Sequence, residues 1–444
     1  MVFSPLLDII RQRWAVDTFR PLQAEAIDAA LAGLDSLVVM PTGSGKSLCY
    51  QAPADIVHGY HQQVTVVISP LISLMKDQVD ALGRRRIPAA FLNSTQHHRD
   101  QVAIQKRGKD GELALLYMAP ERAMTPGCLK FFSECRINAF IIDEAHCIAH
   151  WGHDFRADYA RLGRLRSLFP HVPIRAFTAT ATPKVRGEII EQLALRNPVV
   201  LVGDFDRPNL FLRVEQSRDR EGAILDFIRA RSDQPGIVYA ITRLETERLA
   251  DLLERSSIHA VAYHAGLDDA ERDRVQNLFM AGRVDVIVAT IAFGMGIDKP
   301  DVRWIVHAAM PSSIEQYHQE IGRAGRDGKP AECVLFFDDA DFDTWCRVMC
   351  IDEDRALMNL QDDIQGPDEV RFLKLDEVRF LKLDVVMDYC VLFDNCCRHR
   401  TLTGYFAGGC APDQGETPPA GFEPEPSCNA CDVCAPAGRM KEEG

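Results

Sequence analysis

Val39-Met40-Pro41-Thr42-Gly43-Ser44-Gly45-Lys46-Ser47 carries an apolar strand through a glycine-rich turn into a helical stretch, and its reading decides the fold: an α/β chain. A turn of this kind offers consecutive backbone N–H groups and a helix N-terminus to phosphate. Thr42, Gly43, Ser44 and Gly45 would form the cradle, Lys46 would reach the outer phosphates, and the Ser47 hydroxyl would reach Mg²⁺. The loop departs from the strict G-x-x-x-x-G-K-[ST] pattern, because Met40 stands where the first glycine would be. Taken alone it could be a plain turn between strand and helix.

Ile141-Ile142-Asp143-Glu144-Ala145-His146 removes most of that ambiguity. A carboxylate at the end of a buried strand, Asp143, would hold the metal, and Glu144 would orient or deprotonate the attacking water. His146 closes the tetrad and joins the catalytic set. Both segments follow apolar strands in the order that nucleoside triphosphate hydrolysis requires.

The bulk properties narrow the class. A chain of 444 residues suggests two or three domains. Hydrophobic residues make up 47% and charged residues 26%, as in a soluble globular protein. No apolar run is long enough to span a membrane. Met1-Val2-Phe3-Ser4-Pro5 has no charged region leading into an apolar core, so no secretory signal is visible. A cytoplasmic location is expected. Fourteen cysteines then read as thiols or metal ligands, not as a disulfide framework. The net charge of −14 weighs against a surface coated in basic residues, but acidic residues are concentrated after Ala331 and a local basic groove suffices for nucleic acid.

Residues 1–203 alternate short apolar strands with helical stretches, the strands being expected at 36–40, 64–69, 113–118, 139–143 and 174–178. Continuous apolar strands flanked by helices predict a parallel sheet buried on both faces. Residues 204–213 read as a linker. A second alternating set follows to 338, with strands expected at 236–240, 260–263, 284–289, 304–308 and 332–337, and without a phosphate loop. One loop for two such domains suggests ATP bound between them. After Asp338 the chain turns acidic, helical and cysteine-containing. Residues 368–375 and 376–383 repeat Asp-Glu-Val-Arg-Phe-Leu-Lys-Leu, which is too short for a solenoid and reads as a duplication lengthening a helix. Residues 408–427 read as a loop.

The ordered set Phe19-Arg20, Gln23, Thr42 to Ser47, Ser69-Pro70-Leu71, Asp143 to His146, Thr178-Ala179-Thr180 and Gln319, Gly322-Arg323, Arg326 resembles a superfamily 2 helicase. Cys147-Ile148-Ala149-His150-Trp151-Gly152-His153-Asp154-Phe155-Arg156, with Phe293-Gly294-Met295-Gly296-Ile297-Asp298-Lys299-Pro300 and the run from Gln319 to Gly328, is similar to the RecQ family of DNA helicases. The resemblance covers roughly residues 8 to 434. It implies two tandem RecA-like parallel-sheet domains, at 1–203 and 204–338, then a small helical zinc-binding domain at 339–436 and a tail at 437–444. It implies ATP, Mg²⁺ and Zn²⁺ as cofactors. DNA, single-stranded or as tailed or forked duplex, is the implied partner, with a single-stranded DNA-binding protein as a further one. The implied activity is ATP-driven 3′→5′ translocation and duplex unwinding in recombination and repair. The implied location is the bacterial cytoplasm, at the nucleoid.

Each motif has a physical task. The Gln23 amide, with Arg20 beside it, can face the adenine edge. Arg323 and Arg326, spaced by Ala-Gly, project two guanidiniums suited to charge on a transferred phosphoryl group. Gln319 would help close the same site, and Asp298 belongs to a coupling loop. Trp151, Phe155 and Tyr159, interleaved with His150, His153 and Arg156, suit a single strand, since bases stack on rings and phosphates pair with cations. Tyr159 also fits a core position. Ser69 and Ser73, near helix starts, could bond phosphates or act as caps.

Cys428-Asn429-Ala430-Cys431-Asp432-Val433-Cys434 with one upstream cysteine has the ligand count of a structural Zn²⁺ site, although four thiolates also suit a [4Fe–4S] cluster. Resemblance favours Cys397 over Cys396 as the first ligand; Cys390 and Cys410 are weaker candidates. Two departures stand out. Val16 occupies the place where the family usually has an aromatic ring to stack on adenine. The chain stops ten residues after Cys434, so the winged-helix and C-terminal accessory modules of many members are not in it, which puts duplex binding in doubt. An RNA helicase, or a DNA-stimulated ATPase acting as a switch without robust unwinding, is the rival reading.

Overall fold

The computed structural model describes residues 4–70, 72–93, 96–149, 156–293, 299–351, 375–391, 397–408 and 428–435. The chain divides into two compact units, Met1–Asp204 and Phe205–Gly444.

The first unit holds seven strands: β1 (Ser36–Val39), β2 (Val64–Ile68), β3 (Ala89–Leu92), β4 (Leu115–Met118), β5 (Ile137–Ile142), β6 (Ile174–Thr178) and β7 (Val199–Val202). Their order is β3-β4-β2-β5-β6-β1-β7, and every neighbouring pair is parallel. β1, β2, β4 and β6 are buried along their whole length, as expected for strands covered by helices on both faces. Val38, Phe177, Ile141 and Tyr50 form the centre of the core. The buried Asp35 carboxylate pairs with Arg166 and accepts from the N–H groups of Ile174 (2.9 Å) and Arg196 (2.7 Å), which ties down the amino ends of the central strands.

The second unit holds β8 (Leu210–Gln216), β9 (Gly236–Tyr239), β10 (Ala260–Tyr263), β11 (Val286–Ala289), β12 (Trp304–His307) and β13 (Ala331–Phe337), in the order β10-β11-β9-β12-β13-β8. All its pairings are again parallel. Trp304 fills the centre, and Gly236 is what lets it: a Cβ on Gly236 would lie 2.1 Å from the indole. The helices Leu375–Cys390 and Arg398–Ala407 belong to this unit.

Three strands lie outside the sequence expectation. β3 and β7 are four residues each; two positions of β3 and all four of β7 are only partly buried or exposed, so neither reads as a buried strand. β8 corrects the reading of 204–213 as a linker. Strand pairing starts at Leu210, and β8 aligns with β13 over seven residues from Leu210 to Gln216. Pro208-Asn209 and the charged Arg213 and Glu215 disguise it.

The second copy of the repeated octapeptide lies on Leu375–Cys390, where Val378, Phe380 and Leu383 are buried and Phe380 meets Phe342 edge-on at 5.5 Å. Residues 368–374 of the first copy lie outside the described residues.

Candidate active site

Between β1 and the helix Lys46–His61 the chain makes the glycine turn. Gly43 and Gly45 both take left-handed φ, at +83° and +82°. That conformation is nearly free only for glycine. Gly45 is constrained a second time, because a Cβ there would lie 2.5 Å from Gln23 Nε2. Gln23 is buried and fully engaged: its Nε2 donates to Ser44 O (3.0 Å) and Gly45 O (3.3 Å), and its Oε1 accepts from the Arg20 N–H (2.9 Å). The Arg20 guanidinium donates to Gly43 O. Thus Arg20 and Gln23 brace the loop backbone, a role the sequence does not reveal. Ser44 Oγ donates to Pro41 O (2.6 Å), and Lys46 Nζ donates to Met40 O (3.0 Å). Val16 packs at the margin of the core. Thr42 precedes the two glycines, and Ser47 is the second helical residue.

Asp143 follows β5. Its N–H donates to Ile68 O (2.9 Å) and its carboxylate accepts from the Glu144 N–H (3.1 Å). Burial, reinforced by the Glu144 charge and opposed by Lys46, pushes the Asp143 carboxyl up to about 7. A buried carboxyl held up by its Glu144 neighbour and only partly offset by Lys46 is what a divalent cation relieves, so Asp143 fits a Mg²⁺ site. Glu144 takes φ +48°, a strained conformation for a residue with a Cβ, of the kind that tertiary contacts hold at functional sites. His146 is buried with its Nδ1 2.8 Å from Thr178 Oγ1 and 3.4 Å from a Glu144 oxygen. It links the tetrad to Thr178-Ala179-Thr180. Thr180 N–H closes on Thr178 Oγ1 at 3.3 Å. Ser69 is buried beside Asp143.

Tyr159 is a core residue: it is buried and donates its hydroxyl to Asp143 O at 2.9 Å. Arg156 donates its N–H to Cys147 O at 2.9 Å. His150, Trp151, His153, Phe155 and Asp298 lie outside the described residues, as does the side chain of Ser73.

In the second unit the helix Ile314–Ile321 starts at the Ser313 cap and runs into Gly322-Arg323-Ala324-Gly325-Arg326. Arg323 is buried; Gln319 and Arg326 are half-buried. Glu320, buried in the same helix, is 2.8 Å from His307 Nε2 and accepts from Gln316 at 2.9 Å. Arg207 and Asn209 contact the backbone around both arginines.

The sulfurs of Cys397, Cys428, Cys431 and Cys434 all lie within 4.8 Å of one another. Tetrahedral Zn²⁺ with bonds of about 2.3 Å would place them about 3.8 Å apart, so the set fits the ion. The N–H groups of Ala430 and Cys434 approach the sulfurs of Cys428 (3.4 Å) and Cys431 (3.5 Å), as in a metal knuckle. Hydrogen bonding from the Cys397 thiol holds Cys431 below the ordinary thiol range, while Cys397 and Cys428 are shifted upward. Cys390 is buried outside the cluster, and Cys396 and Cys410 lie outside the described residues. The knuckle joins the sheet edge: Leu212 exchanges backbone bonds with Ala430 and Asp432, both at 3.0 Å, and the Asp432 carboxylate accepts from Val214 N–H and Arg398.

Among the described residues no helix is long and apolar enough to cross a membrane. Residues 20–188 match the DEAD/DEAH box helicase family and residues 219–328 the helicase conserved C-terminal domain. The chain is 49% identical over 337 residues to the ATP-dependent DNA helicase RecQ of Pasteurella multocida, covering 76% of this chain and 52% of that protein. It is 41% identical over 428 residues to RecQ of Haemophilus influenzae, covering 96% of this chain and 63% of the relative. It thus spans about half to three fifths of their length. The RecQ-like DNA helicase BLM of Xenopus laevis is 42% identical over 360 residues, 79% of this chain and 26% of that one. In fold it is similar to Mycobacterium smegmatis helicase Lhr bound to ssDNA and AMP-PNP (TM-score 0.59, 23% identity, 75% of this chain, 48% of that one).

Proposed function

The chain belongs to the RecQ family of DNA helicases, and we propose that it hydrolyses ATP to translocate on single-stranded DNA in the 3′→5′ direction and to unwind duplexes in recombination and repair. The observation that carries this reading is the meeting, in the first unit, of the Lys46 charge with the Asp143–Glu144 pair beside the glycine turn. Relatives named DNA helicases favour DNA over RNA.

In this reading the turn from Thr42 to Gly45 and the N-terminus of the Lys46–His61 helix bind the phosphates, and Lys46 neutralises the outermost one. Ser47 and Asp143 would hold Mg²⁺, which would supply positive charge toward the phosphoryl oxygens. Glu144, beside His146, takes the proton of the attacking water. Arg323 and Arg326 stabilise the transferred group, with Gln319 beside them. Arg20 and Gln23 hold the loop in register, and the Gln23 amide would reach the adenine edge only on leaving the Ser44 and Gly45 carbonyls. His150, Trp151, His153, Phe155 and Arg156, with Ser69 and Ser73, bind the strand. Because Tyr159 closes that segment and bonds Asp143 O, strand binding reaches the carboxylates through few covalent links. Zn²⁺ on Cys397, Cys428, Cys431 and Cys434 holds the 397–434 module to β8. The domain limits at 203 and 338, a single-stranded DNA-binding protein as partner, and a location in the bacterial cytoplasm complete the reading.

The test is unwinding of a 3′-tailed duplex with ATP and Mg²⁺, with Lys46→Ala as control. Removing one electrostatic donor from a phosphoryl-transfer site costs roughly 10²–10³ in rate. ATP hydrolysis without unwinding would leave a translocase or switch; hydrolysis at the parent rate in Lys46→Ala would end the assignment.

A further inference from the structure

We propose that Arg207 and Asn209 are positioning residues for the Arg323–Arg326 pair, an inference that rests on the ATPase reading above. The stretch between the two sheets, expected to be a linker, instead presents two side chains to one turn.

The helix Ile314–Ile321 ends at Gly322, and a helix end leaves carbonyls without intrahelical donors and a partial negative charge. Arg207 supplies both donors and countercharge. Its Nη1 donates to Gly322 O (3.3 Å), and its Nη2 donates to Ala324 O (2.9 Å) and Gly325 O (3.1 Å). Asn209 Nδ2 adds bonds to Gly325 O (2.9 Å) and Lys329 O (3.0 Å), and its Oδ1 accepts from Arg207 Nε (3.3 Å). The carbonyls so gripped belong to the residues on both sides of Arg323 and to the residue before Arg326. Gly325 completes the fit: it takes φ +54°, and a Cβ there would lie 2.5 Å from Asn209 Nδ2. A planar guanidinium can satisfy several carbonyls in a fixed fork; an ammonium cannot reproduce that geometry.

The grip is held rigidly. Phe205 stacks on Phe406 with ring centres 4.6 Å apart, and its carbonyl lies 3.0 Å from His318 Nε2. Asp206 lies 2.6 Å from His399 Nδ1. Leu210 enters β8. The two side chains therefore project from a strut braced on the Arg398–Ala407 helix at one end and on the sheet at the other. A guanidinium displaced by about 1 Å can cost roughly 10²-fold in rate, so the strut governs turnover without touching nucleotide.

The experiment is a double-mutant cycle in the full chain. Arg207→Lys and Asn209→Ser are each made alone and in Arg326→Ala, and kcat and KM for ATP hydrolysis are measured with single-stranded DNA, alongside zinc content and melting temperature. Expected is a fall in kcat of about tenfold or more, with KM, zinc content and melting temperature near the parent values, and a smaller fold-loss in the Arg326→Ala background, where only Arg323 remains to be displaced. An unchanged kcat, or the same fold-loss in both backgrounds, would overturn the proposal. Should Arg207→Lys fold poorly, Asn209→Ser, which loses an amide on the same turn, tests the same grip with the same two outcomes. A parent without Lys46-dependent hydrolysis would overturn the ATPase reading and this inference with it; Lys46-dependent hydrolysis indifferent to Arg207 would overturn this inference alone.

Discussion

Tyr159 donates its hydroxyl to the backbone carbonyl of Asp143 at 2.9 Å, joining the end of the aromatic-rich stretch to the residue that follows the β5 strand. Tyr159→Phe keeps the ring and removes the bond. A buried carbonyl that loses its donor costs about 1–2 kcal/mol. Denaturant melts should show that loss, with a slower basal hydrolysis. An unchanged midpoint would mean that water replaces the donor and that the link to Asp143 is dispensable.

Gly45 is required by both backbone and space. In Gly45→Ala the left-handed φ costs roughly 1–2 kcal/mol, and the new Cβ displaces Gln23 from the loop carbonyls. Affinity for a fluorescent ATP analogue should fall at least tenfold, with circular dichroism unchanged. Gly59→Ala, in the same helix with nothing within 4 Å, is the control and should be neutral or gain up to about 1 kcal/mol.

In its ionised form the buried Asp143 carboxyl costs stability. Its folded pKa is pushed up to about 7, against about 3.9 unfolded. The protonated form is favoured in the fold, so this contribution is fully present below pH 3.9 and is lost as pH rises through 7. In Mg²⁺-free buffer Asp143→Asn should therefore be more stable than the parent at pH 8, with the gap narrowing toward pH 5, and hydrolysis should be abolished. An Asn variant less stable at pH 8 would show that the ionised carboxylate is already well compensated.

Metal analysis of the parent should give one zinc per chain. Cys431→Ser should lower that content and destabilise the protein, with a loss on the order of several kcal/mol, because Cys431 lies in the segment bonded to Leu212 on β8. A stable, metal-free parent would refute the site; iron and sulfide in its place would identify a cluster.

The first unit is legible in the order of its residues. A phosphate loop, a buried strand ending in Asp143-Glu144 and a parallel α/β alternation are local patterns, with every element of the signal inside a few residues. β3 and β7 escape because each is four residues long and partly exposed, too little for a periodicity to register. β8 escapes because Pro208-Asn209 and its charged residues imitate a connection, although it pairs with β13 over its full length. Cys397 is preferred over Cys396 by resemblance alone, and its sulfur does lie with the other three.

By itself the sequence determined the two-sheet plan and named the side chains proposed to face phosphate, metal and developing charge. The tertiary structure alone decided what holds those side chains in place. Arg207 lies 115 to 118 residues from the carbonyls it grips, and Asp432 lies 218 residues from the N–H it accepts. Glu144 is held in a left-handed turn beside the buried His146. No local propensity encodes such pairs. They form only when the sheets bring distant backbone groups, left without partners by helix ends and strand edges, within reach of the donors and acceptors that satisfy them.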